Sequence, residues 1–519
     1  MSGKLTAMRR AGAAALVACA AFVLLALVML AGCGAGAEDR TSAPAPSTPR
    51  AAAPMRPAHV WGAPNGDPAN RRWVDGPIDA ASVSRLRVAW TRPLTNGYAA
   101  TPVVAGDVLY TQDLQSNVVA IDLHSGRTLW TSAFEQPVIG PNGVNVVDGR
   151  VFGATHTDAF ALDARTGRAL WTREIALHTG DTIDMAPGYE DGTVYVSTAV
   201  QGPGAVGTLW ALDAESGAVR WKWAQVPEGL WGRPDVNAGG GMWHPPAFDG
   251  EGHLYAGIAN PLPFPGTPED PWGGSRPGPN RWNNSLVKLD ARSGKLLWGR
   301  QVLPHDIYDW DLECPPILAR VGSRQVVLAA GKMGVVYAFD ADGRLLWKRS
   351  VGRHNGHDDD NLRALRGQSI DLPEKIWPGN WGGVETQMAS DGQTVYVPVV
   401  DLWIRYRSQV DWQVQDILAG TGELVAIDIA SGRVRWSRRL PHSPYGAATV
   451  VNDLVVTTTY DGQVWALDAA SGAVAWRSRL PAGSFAPVAV SDDMLITAGN
   501  MPLTAGQEPR IVAYRLTGS

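Results

Sequence analysis

The stretch LWALDAESGAVRW, Leu209 to Trp221, decides the fold. Its alternation at Leu209, Ala211 and Asp213 sends every second side chain to one face of a strand. Asp213 can accept hydrogen bonds from the amides of the following turn, and Gly217 supplies the backbone freedom that the return needs. The second strand closes on Trp221, an indole whose burial is worth up to about 4 kcal/mol by area. Ala211 is small where a bulky neighbour must approach. One hairpin cannot cover such a plate, so the unit requires neighbours. They are present: VVAIDLHSGRTLW ends at Trp130, AFALDARTGRALW at Trp171, LVKLDARSGKLLW at Trp298, VYAFDADGRLLW at Trp347, LVAIDIASGRVRW at Trp436 and VWALDAASGAVAW at Trp476. Repeats of about 40 residues with several short strands each read as propeller blades.

The repeat resembles the tryptophan-docking motif of pyrroloquinoline quinone (PQQ)-type propellers, found in quinoprotein alcohol dehydrogenases and in the outer-membrane assembly factor BamB. The resemblance runs from roughly Leu86 to Leu516. Val88-Ala-Trp90 opens the series with a tryptophan, and Ile511-Val-Ala-Tyr-Arg-Leu516 ends it without one. Each end supplies what the other lacks. The expected fold is therefore all-β, an eight-bladed β-propeller whose last blade is closed by both termini, as the resemblance also implies.

Lys4, Arg9 and Arg10 precede an uncharged run, Ala11 to Gly32, that contains Leu30-Ala-Gly and leads into Cys33. This reads as an export signal. The run is long enough to span a bilayer, so a retained transmembrane anchor is the alternative. The Leu-Ala-Gly-Cys order resembles a bacterial lipobox, which implies lipidation of Cys33 and an exported, membrane-anchored lipoprotein on the extracytoplasmic side. The domain reading is a signal peptide at 1–32, a lipidated cysteine with an Ala/Pro/Ser-rich tether at 33–70, and the propeller at 71–519. A formal charge of −5 gives no basis for nucleic-acid binding. Of the 3 cysteines, Cys19 leaves with the signal and Cys33 would carry lipid, so Cys314 has no partner for an intrachain disulfide in the mature form. There is no Cys-x-x-Cys-His run for covalent haem, so electrons from any oxidation must pass to a separate acceptor.

The intervals Trp221 to Trp298 and Trp347 to Trp436 are much longer than the others, and insertions on a rigid scaffold are the usual carriers of function. The first contains GGGMWHPPAFDGEGHLYAGIANPLPFPG, residues 239–266, and the next sheet edge reads PHDIYDWDLECPP, residues 304–316. The order Gly-Gly-x-x-Trp, Asn-Pro-x-Pro and Pro-His-Asp-x-aromatic-Asp-x-Asp resembles the active-site half of PQQ-dependent alcohol dehydrogenases. That resemblance implies Trp243 as the aromatic floor under the quinone, Asn260 as a metal ligand and Asp309 as the catalytic carboxylate. It implies Lys332 as the cation beside the quinone oxygens and, more loosely, Asn380 in GNWGG as an amide contacting the cofactor. Asn260, Asp309 and Asp311 are oxygen donors suited to a hard cation, Ca2+ or a lanthanide, and Asp309 and Asp311 share a face if the segment is extended. An acid at Asp311 marks lanthanide-dependent members of the family but occurs in others, so it does not fix the metal. The expected substrate is an alcohol or sugar.

Several positions depart from the family pattern. Gln201 and Gly202 stand where a calcium-binding glutamate is expected, Ala99 or its neighbours replace another glutamate, Asn142-Gly143 replaces Arg-Gly, and no adjacent cysteine pair is present. Losing an arginine that would pair with a PQQ carboxylate costs about 1.5 to 3 kcal/mol. Plainer readings also exist: Trp243 as a packing residue, Asn260 before Pro261 as a turn former, the aspartates at 306, 309 and 311 as a solvated loop, and Lys332 as a surface lysine. The run His354 to Asp360, HNGHDDD, reads as a solvated loop. Two functions follow, an extracytoplasmic quinoprotein dehydrogenase or a non-catalytic BamB-like scaffold for a protein or cell-envelope partner.

Overall fold

The computed structural model describes residues 61–98, 101–372 and 374–518. The signal, Cys33 and residues 33–60 of the tether lie outside the described residues. The described chain belongs to one compact unit, His59–Ser519. Strands dominate it, forming seven four-stranded sheets and one five-stranded sheet, with smaller two- and three-stranded additions. In chain order these are sheet 1 (103–132), sheet 2 (145–174), sheet 3 (188–224), sheet 4 (247–301), sheet 5 (317–350), sheet 6 (389–440), sheet 7 (449–479) and sheet 8 (489–516), to which Leu86–Pro93 is added. That added strand pairs antiparallel with Arg510–Leu516, in the register Leu86 to Leu516. No helix among the described residues is long and apolar enough to cross a membrane.

The repeat is explained by what happens between sheets. Asp213 Oδ1 accepts from the Ser216 amide at 2.9 Å and from its hydroxyl at 2.7 Å, which closes the turn. Gly217 then has φ +67°, and a Cβ there would lie 2.7 Å from the Trp171 ring of the preceding sheet. The residue that must be small for the incoming indole is thus the turn glycine, while Ala211 is buried in register with its own Trp221. Trp171 Nε1 donates to Ala214 O at 3.0 Å. The same indole-to-carbonyl bond joins Trp90 to Leu123, Trp130 to Ala164, Trp221 to Ala291, Trp298 to Ala341, Trp347 to Ile429 and Trp436 to Ala469. Trp476 of sheet 7 instead meets Tyr514 of sheet 8 edge-on, with ring centroids 5.3 Å apart.

Within sheets 1 to 7 the strands follow chain order and neighbours run antiparallel, apart from one short parallel strand, Trp73–Val74, at the edge of sheet 7. The first-to-second and third-to-fourth turns therefore share one end of each sheet. The second-to-third loops and the links between sheets share the other. The Asp-to-Gly turns of the repeat, such as Asp213 to Gly217, occupy the first end, and both long insertions open at the second.

Residues 61–74 run along the first strands of several sheets. Trp61 O, Pro68 O, Ala69 O, Arg71 O and Arg72 O accept from the amides of Val104, Phe248, Leu318, Ser390 and Val450, members of sheets 1, 4, 5, 6 and 7. Arg72 is 0% exposed, and its five N–H groups reach six acceptors, the carbonyls of Pro64, Ala448 and Val488, Asn65 Oδ1, and the hydroxyls of Thr101 and Thr449. Burial pulls this guanidinium down to about 9. The packed body therefore begins by Trp61 rather than at residue 71, because Trp61 and Arg72 find buried partners that no local pattern announces.

Candidate active site

Asp306 shapes the loop that carries the site. Its Oδ1 accepts from the Tyr308 amide at 2.8 Å, and its Oδ2 accepts from the Trp310 amide at 2.7 Å and from Asn284 Nδ2 at 3.0 Å. The chain turns through Asp309 at φ +61°, a left-handed conformation uncommon outside glycine, asparagine and aspartate. From there Asp309, Asp311 and Glu313 alternate onto one side, and all three reach a single group. Lys332 Nζ lies 3.4 Å from Asp309 Oδ2, 2.8 Å from Asp311 Oδ2 and 3.8 Å from Glu313 Oε2. The contact with Asp311 is an ion pair without hydrogen-bond alignment. Lys332 can come this close because its neighbour is Gly331, where a Cβ would lie 1.7 Å from Asp311 O, and the Lys332 amide bonds that same carbonyl at 3.0 Å.

The cluster is buried and acid-rich. Asp311, Glu313 and Lys332 are nearly inaccessible, and Glu385 adds a fourth carboxyl, close enough to Glu313 to raise its affinity for protons. Burial, opposed by Lys332 and reinforced by Asp311, Asp306 and Glu313, holds Asp309 well above the ordinary carboxylate range. Burial and the nearby Glu385 do the same to Glu313 against the pull of Lys332. Lys332 would be lowered by burial, but the carboxylates of Asp309, Asp311, Glu313 and Glu385 raise it well above the usual lysine value, so it stays an ammonium.

Glu385 is pushed up to about 8, chiefly by burial. Part of the residue is accessible, but its Oε2 is buried without a hydrogen-bond partner, which is why desolvation dominates. A carboxyl whose folded value is raised above its unfolded 4.5 gives stability that is fully present below that pH and lost as pH rises through about 8. Glu385→Gln should therefore flatten the fall in stability between those limits. Urea unfolding at intervals across the range checks this, and an unchanged slope would contradict it.

The structure gathers the sequence-predicted residues unevenly. Asp309, Asp311 and Lys332 meet directly. Asn260 joins them through its backbone, its amide donating to Asp311 Oδ1 at 2.5 Å, while its side-chain Nδ2 turns to Pro261 O at 3.3 Å. The Trp243 loop adjoins that of Asn260, since Gly241 O accepts from the Ala259 amide at 3.0 Å, and Trp243 Nε1 is buried without a partner. The adjacent His244 is held neutral, down to about 3, by burial and by Arg72. Asn380 is buried with its Oδ1 unpaired, but the residue of its loop that bears on Lys332 is Glu385. The aspartates are thus no solvated loop, and Lys332 is no surface lysine. Glu313 continues the alternation of Asp309 and Asp311, a signal legible in sequence; Glu385 reaches the cluster only through tertiary packing.

The cation on which Asp309 and Asp311 converge in this structure is Lys332. Among the described residues no three His, Cys, Asp or Glu side chains are set as a metal cage; two aspartates and the Asn260 amide are on offer. Their chemistry nonetheless fits a hard cation. Four carboxyls face one ammonium, and oxygens of Glu313 and Glu385 lack hydrogen bonds. A quinone acceptor also fits, since Lys332 and the unpaired Trp243 Nε1 are donors. At the expected arginine position, Asn142 Oδ1 is likewise buried without a partner.

Comparison with known proteins bears on the fold and the family. The profile described as the outer membrane protein assembly factor BamB matches residues 80–184 and 332–519, more than half of the chain. The profile described as the β-propeller domain of glucose/ethanol/alcohol dehydrogenase matches residues 191–351, which contain the whole cluster except Glu385. Quinohemoprotein alcohol dehydrogenase from Comamonas testosteroni is 28% identical over 464 residues, covering 75% of this chain and 64% of that protein. The chain thus spans between 51% and 65% of the length of such curated relatives. Among solved structures, the quinohemoprotein alcohol dehydrogenase ADHIIG from Pseudomonas putida HK5 aligns with a TM-score of 0.77 at 22% identity, over 89% of this chain and 81% of that one. A europium-containing methanol dehydrogenase aligns with a TM-score of 0.72 at 19% identity, over 88% and 98%. With tryptophans docking from sheet to sheet and PQQ-repeat profiles matched along its length, the chain belongs to the PQQ-type β-propeller family.

Proposed function

We propose that this protein is an exported quinoprotein dehydrogenase that oxidises an alcohol or sugar, with Asp309 as the base. The observation that carries the reading is the ion-paired Asp309 and Lys332 at the loop end of the sheets, a buried arrangement that a bare scaffold does not need. Asp309, with its affinity for protons raised by burial, is suited to take the hydroxyl proton of a substrate. Lys332 remains charged and donates hydrogen bonds to an acceptor beside it. Trp243 and Lys332 would hold the cofactor, and Asn260, Asp309 and Asp311 a hard cation. PQQ, when bound, would accept the hydride from the substrate carbon, and the cation would increase its electrophilicity. Electrons would then leave to a separate acceptor. The curated relatives named as alcohol dehydrogenases support this reading.

Purified protein reconstituted with PQQ and Ca2+ or a lanthanide should reduce an artificial dye with some member of a panel of alcohols and sugars. Silence with every metal and substrate would favour the second reading, a BamB-like scaffold. That reading draws on the BamB profile match and on Asn142 at an expected arginine position.

The proposal includes a closed ring of eight blades. Its support is the pairing of Leu86–Pro93 with Arg510–Leu516 and the indole contacts between successive sheets. Removing residues 510–519 should lower the melting temperature of the whole body, and a truncated protein that melts like the wild type would contradict closure. It also includes a membrane tether through Cys33, with residues 1–32 removed. Palmitate labelling of the wild type, lost in Cys33→Ser, would support the tether; an unlabelled wild type would refute it.

A further inference from the structure

The second long insertion does more than supply Glu385. Its HNGHDDD run ends buried rather than solvated: Asp360 and Asn361, at the start of the short helix Asp360–Leu365, are 3% and 0% exposed. Both side chains bind the loop that carries Asp309. Asn361 Oδ1 accepts from the Ile307 amide at 2.8 Å, and Asp360 Oδ2 accepts from the Tyr308 hydroxyl at 2.7 Å. The Asp360 carboxylate is itself anchored, with His357 Nδ1 at 2.7 Å and Arg363 Nη1 at 3.2 Å. The Tyr308 ring is stacked on Tyr406 at 5.6 Å and meets Trp310 edge-on at 5.1 Å. Ile307 and Tyr308 immediately precede Asp309 and its left-handed backbone.

We infer that Asp360 and Asn361 are positioning residues, which clamp Ile307 and Tyr308 so that Asp309 is held in its left-handed conformation with its carboxylate toward Lys332. Its catalytic consequence rests on Asp309 being the base; the clamp itself is a property of the cofactor-free chain.

Hydrogen exchange read by mass spectrometry on the full-length, cofactor-free protein tests the clamp. Tyr308→Phe removes one hydroxyl. Asn361→Leu removes the acceptor at similar size, whereas Asn361→Asp keeps it and loses no donated bond, because Asn361 Nδ2 has no partner. Amides 307–311 should exchange about tenfold faster in Tyr308→Phe and Asn361→Leu and stay near wild type in Asn361→Asp. With PQQ and metal bound, the first two variants should lose about tenfold in kcat with KM nearly unchanged, and Asn361→Asp should not. Unchanged exchange in Tyr308→Phe overturns the clamp, and that variant decides alone if Asn361→Leu does not fold. Faster exchange with undiminished kcat overturns its role in placing Asp309. A wild type with no turnover at all would contradict the quinoprotein reading, while exchange would still decide the clamp.

Discussion

Asp309→Asn is expected to lower kcat by about a thousandfold, the order of a positioned general base, with the melting temperature unchanged or higher. Asparagine keeps the size of the side chain and tolerates the φ of +61° that Asp309 adopts, so the loop need not rearrange. What disappears is a proton acceptor whose buried carboxyl is held well above its ordinary range. Because that burial opposes ionisation, removing the charge should not cost stability. Steady-state kinetics of the PQQ-loaded variant beside its thermal melt checks both halves. Turnover within tenfold of wild type would remove Asp309 from the role of base.

Lys332→Met should destabilise the protein by about 3 to 5 kcal/mol at pH 7, because it leaves Asp309, Asp311, Glu313 and Glu385 buried without their cation. The loss should shrink as pH falls. The raised carboxyls of Asp309, Glu313 and Glu385 make the folded state bind protons that the unfolded chain has released, so acid favours the fold until the unfolded chain is protonated as well. Urea unfolding of wild type and variant at pH 7 and pH 5 measures the difference. Equal stabilities at pH 7 would mean that the ammonium is not what holds the cluster together.

The fold was legible because its information is local. Each Asp-to-Gly turn and each closing tryptophan is written within one hairpin, and the unpaired ends at Trp90 and Tyr514 advertise one another. The role of Gly217 was only half legible: its φ follows from the turn, but the Trp171 ring pressed on it comes from the preceding sheet. The N-terminal boundary was misread for a related reason. Residues 61–72 have tether-like composition, yet Arg72 is satisfied by oxygens up to 416 positions away. At the site, Asp309, Asp311 and Lys332 are legible through the resemblance of their motifs to a known family, and Glu313 follows from them by alternation. Glu385 and the helix Asp360–Leu365 belong to the other long insertion, and only packing brings them to the loop of Asp309. Asn380 lies in the same loop as Glu385, buried with its Oδ1 unpaired.

Titration calorimetry of PQQ into full-length protein loaded with Ca2+ or a lanthanide is the most direct measurement. A buried Lys332 beside an unpaired Trp243 Nε1 should give saturable binding at one PQQ per chain, weakened in Lys332→Met when measured on folded protein. The substitution at Asn142 should make that binding weaker than an arginine there would allow. No detectable heat with either metal, and no turnover in the dye assay, would contradict the quinoprotein reading and leave a propeller that binds a partner.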